Sequence, residues 1–274
     1  MVAAKINSAS GLTVAGIQFL HEEGRRDANI QRATDLIRSC PGHDIYVLPE
    51  LSCSGYGLET FRHLDELSED LYGPSYAAFS DLAKSLGCFI CYSFPRRAAH
   101  RSYTICAAVV DPSGKIAASY DKWHICQYGE CIEKDYFTVG SGMPAVFDVN
   151  GIRVGICICY DIRFPEMIRK LTLEGKISLL LHPGGWPRDE SFLTWHSFVS
   201  TRAIENSIYI MSPNRAGSHN GCSIFCPPFV DYKTIQPQTL GDEEGVLTGQ
   251  VDMRYLHHIR STYTLLKDRR TDLY

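Results

Sequence analysis

Three residues in this chain combine the types that acyl transfer requires. Cys159 closes the apolar run Val154-Gly155-Ile156-Cys157-Ile158-Cys159 and is followed at once by Tyr160-Asp161-Ile162-Arg163-Phe164-Pro165-Glu166. A β-branched run that stops at a thiol and restarts as a Pro-led helix presents a nucleophile at the lip of a sheet. Glu50 follows Val47-Leu48-Pro49, and Lys122 follows Ile116-Ala117-Ala118-Ser119-Tyr120-Asp121, so a carboxylate and an ammonium also stand at expected strand ends. Gathered at one sheet edge, the three make a nucleophile with a proton acceptor and an oxyanion partner. Singly, each has an ordinary reading: a core thiol, a solvated loop acid, an exposed lysine beside a hairpin. Cys157 shares a strand face with Cys159, and only the strand-end position separates them, so Cys157 is read as core.

The elements that must gather these residues read as mixed α/β. Residues 12–19 alternate as a strand, a helix runs from Asp27 to about residue 39, and residues 45–48 form a second strand, a β-α-β opening. Pro74 starts a helix over 74–86, and a strand follows at 88–93. Asp111-Pro112-Ser113-Gly114 turns a hairpin between 104–110 and 116–121, and Asn150-Gly151 turns another between 145–149 and 152–159. Helices at 165–173 and 190–206 and strands at 177–181 and 208–212 complete the series. Interleaved hairpins and helices describe a layered α/β fold rather than a purely parallel sheet. With no linker, repeat or low-complexity tract, residues 1–274 read as a single domain. Past about Asp252 a charged tail carrying Leu265, Leu266, Leu273 and Tyr274 is either disordered or an arm that docks on a neighbour.

The 27 basic and 31 acidic residues are scattered and give a net charge of −4, which leaves no nucleic-acid footprint and no basic membrane-binding face. Small-molecule chemistry is the default. Residues 1–11 carry no apolar leader core and no later run is long enough to span a bilayer, so a soluble, cytoplasmic protein is expected. The 11 cysteines are read as reduced thiols. Cys88-x-x-Cys91 has zinc-like spacing but lacks a matching second pair, and it encloses Phe89 and Ile90, so it is read as core. His124, His182 and His196 supply neither metal-ligand nor Cys/His-triad spacing and are given core or surface roles. No metal or cofactor is expected.

The same segments resemble the nitrilase (carbon-nitrogen hydrolase) superfamily over nearly the whole chain. Leu48-Pro49-Glu50, Tyr120-Asp121-Lys122-Trp123-His124 and Cys159-Tyr160-Asp161-Ile162-Arg163-Phe164-Pro165-Glu166 occur in that family's order. The resemblance implies a second glutamate at Glu133 and a four-layer αββα sandwich with mixed sheets. It also implies a homodimer paired across the helices beside the cysteine and through residues 253–274 as a C-terminal arm. Cys-Tyr-Asp-x-Arg-Phe-Pro-Glu looks like the amidase branches, and Trp186-Pro187 with Arg202-Ala203-Ile204-Glu205-Asn206 leans toward ω-amidases. Nitrilases proper usually show Cys-Trp-Glu, and N-carbamoyl hydrolases often show Cys-Asn-Asp.

The resulting expectation is an enzyme that hydrolyses a small-molecule amide to carboxylate and ammonia. Cys159 attacks as a thiolate favoured by the Lys122 charge and forms a thioester. Glu50 moves the protons, Lys122 and the Tyr160 backbone N–H hold the oxyanion, and Glu133 orients the amide. For an ω-amide with a distal carboxylate, Arg188, Arg163 and Arg215 are candidate cations, Arg188 beside Trp186 ranking first. The alternatives are an N-carbamoyl hydrolase and a non-catalytic oligomeric binding module. A cysteine protease is disfavoured because the thiol lacks a histidine context.

Overall fold

Alternation along β1 (Gly11–Gln18) sets the layering: Leu12 and Val14 face one way, Ala15 and Ile17 the other, and all are buried. A strand buried on both faces must lie between two layers. The computed structural model describes residues 11–100 and 102–273. It places β1 in a six-stranded sheet with β2 (Ile45–Val47), β3 (Phe89–Ala99), β4 (Ser102–Val110) and β5 (Ile116–Asp121). A second six-stranded sheet holds β6 (Val146–Val149), β7 (Ile152–Ile156), β8 (Leu179–Leu181), β9 (Tyr209–Ser212), β10 (Ile224–Cys226) and β11 (Gln238–Thr239). Strand β12 (Gly245–Asp252) returns to pair with β1. Each sheet has a parallel centre, β1-β2-β3 and β7-β8-β9, extended by antiparallel strands on both sides.

The helices are α1 (Arg26–Ser39), the short α2 (Leu58–Arg62) and α3 (Leu64–Leu67), α4 (Pro74–Leu86), α5 (Pro165–Leu173), α6 (Phe192–Asn206) and α7 (Met253–Thr262). Ala33, Ile37, Phe79 and Leu82 of α1 and α4 cover Ile17, Tyr46, Ile90 and Tyr92 on the outer face of the first sheet. The inner face, with Val14, Val47, Ile105 and Ala107, joins the second sheet in one core. At that contact a Cβ on Gly16 would meet Met211 Sδ at 2.7 Å, so the close approach of the sheets needs glycine there. Met167, Ile168 and Leu171 of α5 and Trp195, Val199 and Ala203 of α6 belong to the same core. The outcome is the expected αββα sandwich.

Several local expectations shift. The strand expected to run to Cys159 ends at Ile156, and β3 runs on to Ala99. Strands β10, β11 and β12 go unannounced: two are very short, and β12 carries two glycines that blunt its pattern. Of the supposed arm, residues 253–262 are α7, capped by Asp252, which accepts from Arg254 N–H and Tyr255 N–H. Leu256 and Ile259 are buried, and Arg260 donates to Ser207 O at 3.1 Å and Ile177 O at 2.9 Å. Beyond α7, Leu265 and Leu273 are exposed. The leader reading of residues 1–10 and the terminal Tyr274 lie outside the described residues. Cys88 joins the helix-side core and Cys91 the inter-sheet core, since residues three apart on extended chain face opposite ways.

Candidate active site

Glu50, Lys122 and Cys159 leave the sheets just beyond β2, β5 and β7, and Glu133 opens a short 3-10 turn, Glu133–Asp135, between β5 and β6. The crevice outside the carboxyl ends of parallel strands such as β2 and β7 is where α/β folds place ligands. Lys122 joins the acids: its Nζ donates to Glu50 Oε1 at 2.6 Å and to both Glu133 oxygens at 2.8 Å. All three side chains are wholly buried. Glu133 is fixed from the far side, accepting from Tyr56 Oη at 2.5 Å and from Cys126 N–H at 2.9 Å. Glu50 Oε2 has no hydrogen-bond partner among the described residues. A Cβ at Gly185 would stand 2.9 Å from that oxygen, so glycine leaves the carboxylate its room.

Electrostatics gives each group a state. Burial pushes the Glu50 carboxyl up to about 7, with Lys122 pulling it down and Glu133 pushing it up. Such an acid exchanges protons near neutrality. Burial acts to lower Lys122, but the carboxylates of Glu133 and Glu50 outweigh it and hold the ammonium well above its usual range. Cys159 is pushed well above the ordinary thiol range, by burial first and by Glu50 second, with Lys122 only partly opposing. These surroundings favour the neutral thiol, so the Lys122 charge by itself does not supply the thiolate it was expected to favour.

The turn at Cys159 is held from several sides. Cys159 has φ of +43° and opens a 3-10 helix, Cys159–Arg163. A non-glycine residue in that region costs about 1–2 kcal/mol. Asp161 accepts from Ile158 N–H at 2.9 Å, Tyr120 Oη at 2.9 Å and His124 N–H at 3.1 Å, and His124 Nδ1 lies 2.7 Å from it. His124 also stacks on Phe164 with centroids 3.7 Å apart. The segment that carries Lys122 is thereby tied to the turn that carries Cys159. Cys157 points into the core, wholly buried, its thiol raised by burial and by Asp161.

A small, narrow pocket opens over Cys159, lined among others by Cys126, Tyr128, Tyr160, Gly185, Trp186 and Asp189. The geometry of a helix start leaves Tyr160 N–H without an intrahelical acceptor. Trp186 is buried, and its Nε1 has no partner among the described residues. Arg188 does not line the cavity. Its guanidinium pairs with Asp242 and lies over Phe192, and its Nε donates to Asn220 O at 3.0 Å. Arg163 stands against the cavity's aromatic wall, 5.3, 5.9 and 5.0 Å from the ring centroids of Tyr128, Tyr160 and Trp186. Its Nε and Nη2 are buried without a partner among the described residues. Arg215 is spent on Tyr56 O and Gly185 O, each at 3.2 Å. The sequence reading passed over Tyr56 and Tyr128, whose loop positions carry no periodic signal.

The family model for carbon-nitrogen hydrolases matches residues 13–261. The chain is 30% identical to the 2-oxoglutaramate amidase of Bacillus subtilis (strain 168), covering 96% of this chain and 99% of that one. It is 29% identical to omega-amidase NIT2 of Homo sapiens, covering 90% and 91%. Among solved structures, an amidase from Nesterenkonia sp. AN1 superposes with a TM-score of 0.80 at 25% identity, covering 99% of this chain and 98% of that one. That structure shows covalent addition of the acetamide moiety of fluoroacetamide at its active-site cysteine. The carbon-nitrogen hydrolase of Helicobacter pylori G27 shares the fold with a TM-score of 0.85 at 22% identity, covering 98% of each chain.

Proposed function

The chain belongs to the carbon-nitrogen hydrolase family and hydrolyses amide C–N bonds, and from that premise we propose that Cys159, Glu50, Lys122 and Glu133 carry the reaction on a small primary amide. Cys159 Sγ attacks the carbonyl carbon while Glu50 takes the thiol proton. The tetrahedral oxyanion sits between Lys122 Nζ and the Tyr160 N–H. Glu50 returns the proton to the leaving nitrogen, the C–N bond breaks, and ammonia departs from a thioester. Water, deprotonated by Glu50, then attacks the thioester and releases the carboxylate and the thiol. Glu133 keeps Lys122 charged and placed. The observation that carries this reading is the buried cluster itself, Lys122 Nζ 2.6 Å from Glu50 and 2.8 Å from Glu133 beside the Cys159 thiol. Burying three ionisable side chains is too costly to be kept for packing alone.

The acyl group is proposed to be an ω-amide with a distal carboxylate, as the names of the relatives suggest. Arg163 rather than Arg188 supplies the cation, because Asp242 already neutralises Arg188 whereas Arg163 stands behind the aromatic rings that line the cavity, with two buried N–H-bearing atoms unpaired among the described residues. One hydrolase domain, acting as a cytoplasmic homodimer, completes the proposal. Eleven unpaired thiols suit a reducing compartment, and residues 263–273 expose Leu265 and Leu273 for a partner. Among the described residues no helix is long and apolar enough to cross a membrane.

The test is intact-mass analysis of acid-quenched enzyme during turnover of a succinamate-like amide. The wild type should carry an acyl adduct on Cys159 and release ammonia. Cys159→Ala should do neither while keeping its fold, and Cys157→Ala should do both. Ammonia release undiminished in Cys159→Ala would end the reading.

A further inference from the structure

His182 was assigned no chemistry from the sequence, and the mechanism above does not use it, yet it is wholly buried directly behind the nucleophile. It follows β8, and its Nε2 lies 2.9 Å from the carbonyl oxygen of Cys159. Its Nδ1 lies 2.7 Å from Ser212 Oγ, which sits at the end of β9 and also receives Trp195 Nε1–H at 3.1 Å. The donor and acceptor roles follow from the groups present. A carbonyl oxygen only accepts, so Nε2 carries the proton. Burial pushes the imidazole down to about 4, so near neutral pH the ring is uncharged and Nδ1 is an acceptor. Ser212 Oγ–H therefore donates to Nδ1, and the indole N–H, which can only donate, feeds the Ser212 oxygen. The chain runs one way: Trp195 to Ser212 to His182 to the Cys159 carbonyl.

Two consequences converge on one peptide group. Cys159 is held in the left-handed region at φ +43° with its N–H donated to Pro183 O at 2.9 Å, so residues 182 and 183 grip both of its backbone polar groups. The carbonyl that His182 holds belongs to the same amide as the N–H of Tyr160, a residue that lines the cavity. A donor on the oxygen of an amide draws charge from its nitrogen and strengthens the N–H as a donor, the cooperative effect seen in hydrogen-bonded chains.

We propose that His182, fixed as the Nε2–H tautomer by Ser212 and Trp195, is a positioning residue that sets the geometry and donor strength of the Cys159–Tyr160 peptide in the oxyanion site. This rests on the reading that Cys159 is the nucleophile and Tyr160 N–H an oxyanion donor. Loss of a direct oxyanion donor costs about 10²–10³-fold in turnover. A group acting through the amide should cost less, roughly 10- to 50-fold in kcat, because the donor stays in place and loses only polarisation and alignment.

The experiment compares His182→Phe, His182→Gln and Ser212→Ala with wild type in steady-state ammonia release and in thioester formation by rapid quench and intact mass. His182→Phe keeps a ring without a donor, and kcat and the acylation rate should fall while KM stays within about 3-fold. His182→Gln keeps an N–H near the Nε2 position with no ionisable group, and it should recover most of the loss. Ser212→Ala removes the hydrogen bond to Nδ1 that anchors the other side of the ring, and it should lower kcat by a smaller factor, again with KM steady, which keeps the test decisive if His182→Phe fails to fold. Unchanged kcat in a folded His182→Phe or in Ser212→Ala would overturn the proposal. So would a Gln variant that folds with wild-type melting temperature yet recovers nothing. Absence of a thioester in the wild type is a different failure, since it would remove the covalent reading beneath the proposal.

Discussion

Replacing Glu50 with glutamine separates catalysis from stability, because the carboxylate proposed to move protons is also one that folding has to desolvate. Burial first, then Glu133, lifts its pKa from 4.5 to about 7 against the pull of Lys122. Between those values the folded protein holds a proton that the unfolded chain has released, so Glu50 favours unfolding more as pH rises through that window. The displacement corresponds to roughly 3 kcal/mol, most of which is lost between pH 5 and pH 8. Glu50→Gln has no such proton to lose. Its unfolding free energy, measured in urea, should therefore gain on wild type by roughly 2–3 kcal/mol between pH 5 and pH 8, equivalent to about 4–8 °C in Tm. Over the same range wild-type kcat/KM should rise with an acid limb near 7, while the variant's turnover stays about 10²–10⁴-fold lower. A stability difference that stays within about 0.5 kcal/mol between the two pH values would refute the raised pKa. Retained turnover would remove Glu50 from the proton transfers.

Two further substitutions probe the room and the charge around the site. Gly185→Ala puts a Cβ 2.9 Å from Glu50 Oε2, so turnover should fall at least about 10-fold as the carboxylate is displaced, with an overpacking cost of about 1–3 kcal/mol in urea unfolding. Wild-type kcat there would mean that the carboxylate's position is not critical. Arg163→Met should raise KM for a succinamate-like amide about 10- to 100-fold while sparing a neutral amide of equal length, and Arg188→Ala should change neither. The opposite pattern in steady-state assays would return carboxylate recognition to Arg188.

The sequence by itself determined the alternating strand at residues 12–19, the Asp-Pro-Ser-Gly and Asn-Gly hairpins, and the arrival of an acid, an ammonium and a thiol at three strand ends. These are local properties, set by side-chain period and turn chemistry within a few residues. The tertiary structure decided what meets what. Lys122 reaches Glu50 across 72 residues of chain because β2 and β5 end at the same crevice, an outcome of strand order and not of any motif. Arg188 and Arg163 look alike as letters, but Asp242, 54 residues from Arg188, engages one guanidinium while aromatic rings surround the other and leave it partly unpaired. The Lys122 charge does not by itself favour a Cys159 thiolate, because burial and Glu50 outweigh one cation, a balance that depends on depth in the fold. His182 carries no sequence signal at all. Its donor reaches the Cys159 carbonyl only because β7 and β8 run parallel and end together, and its tautomer is fixed by Ser212 and Trp195 from two other elements.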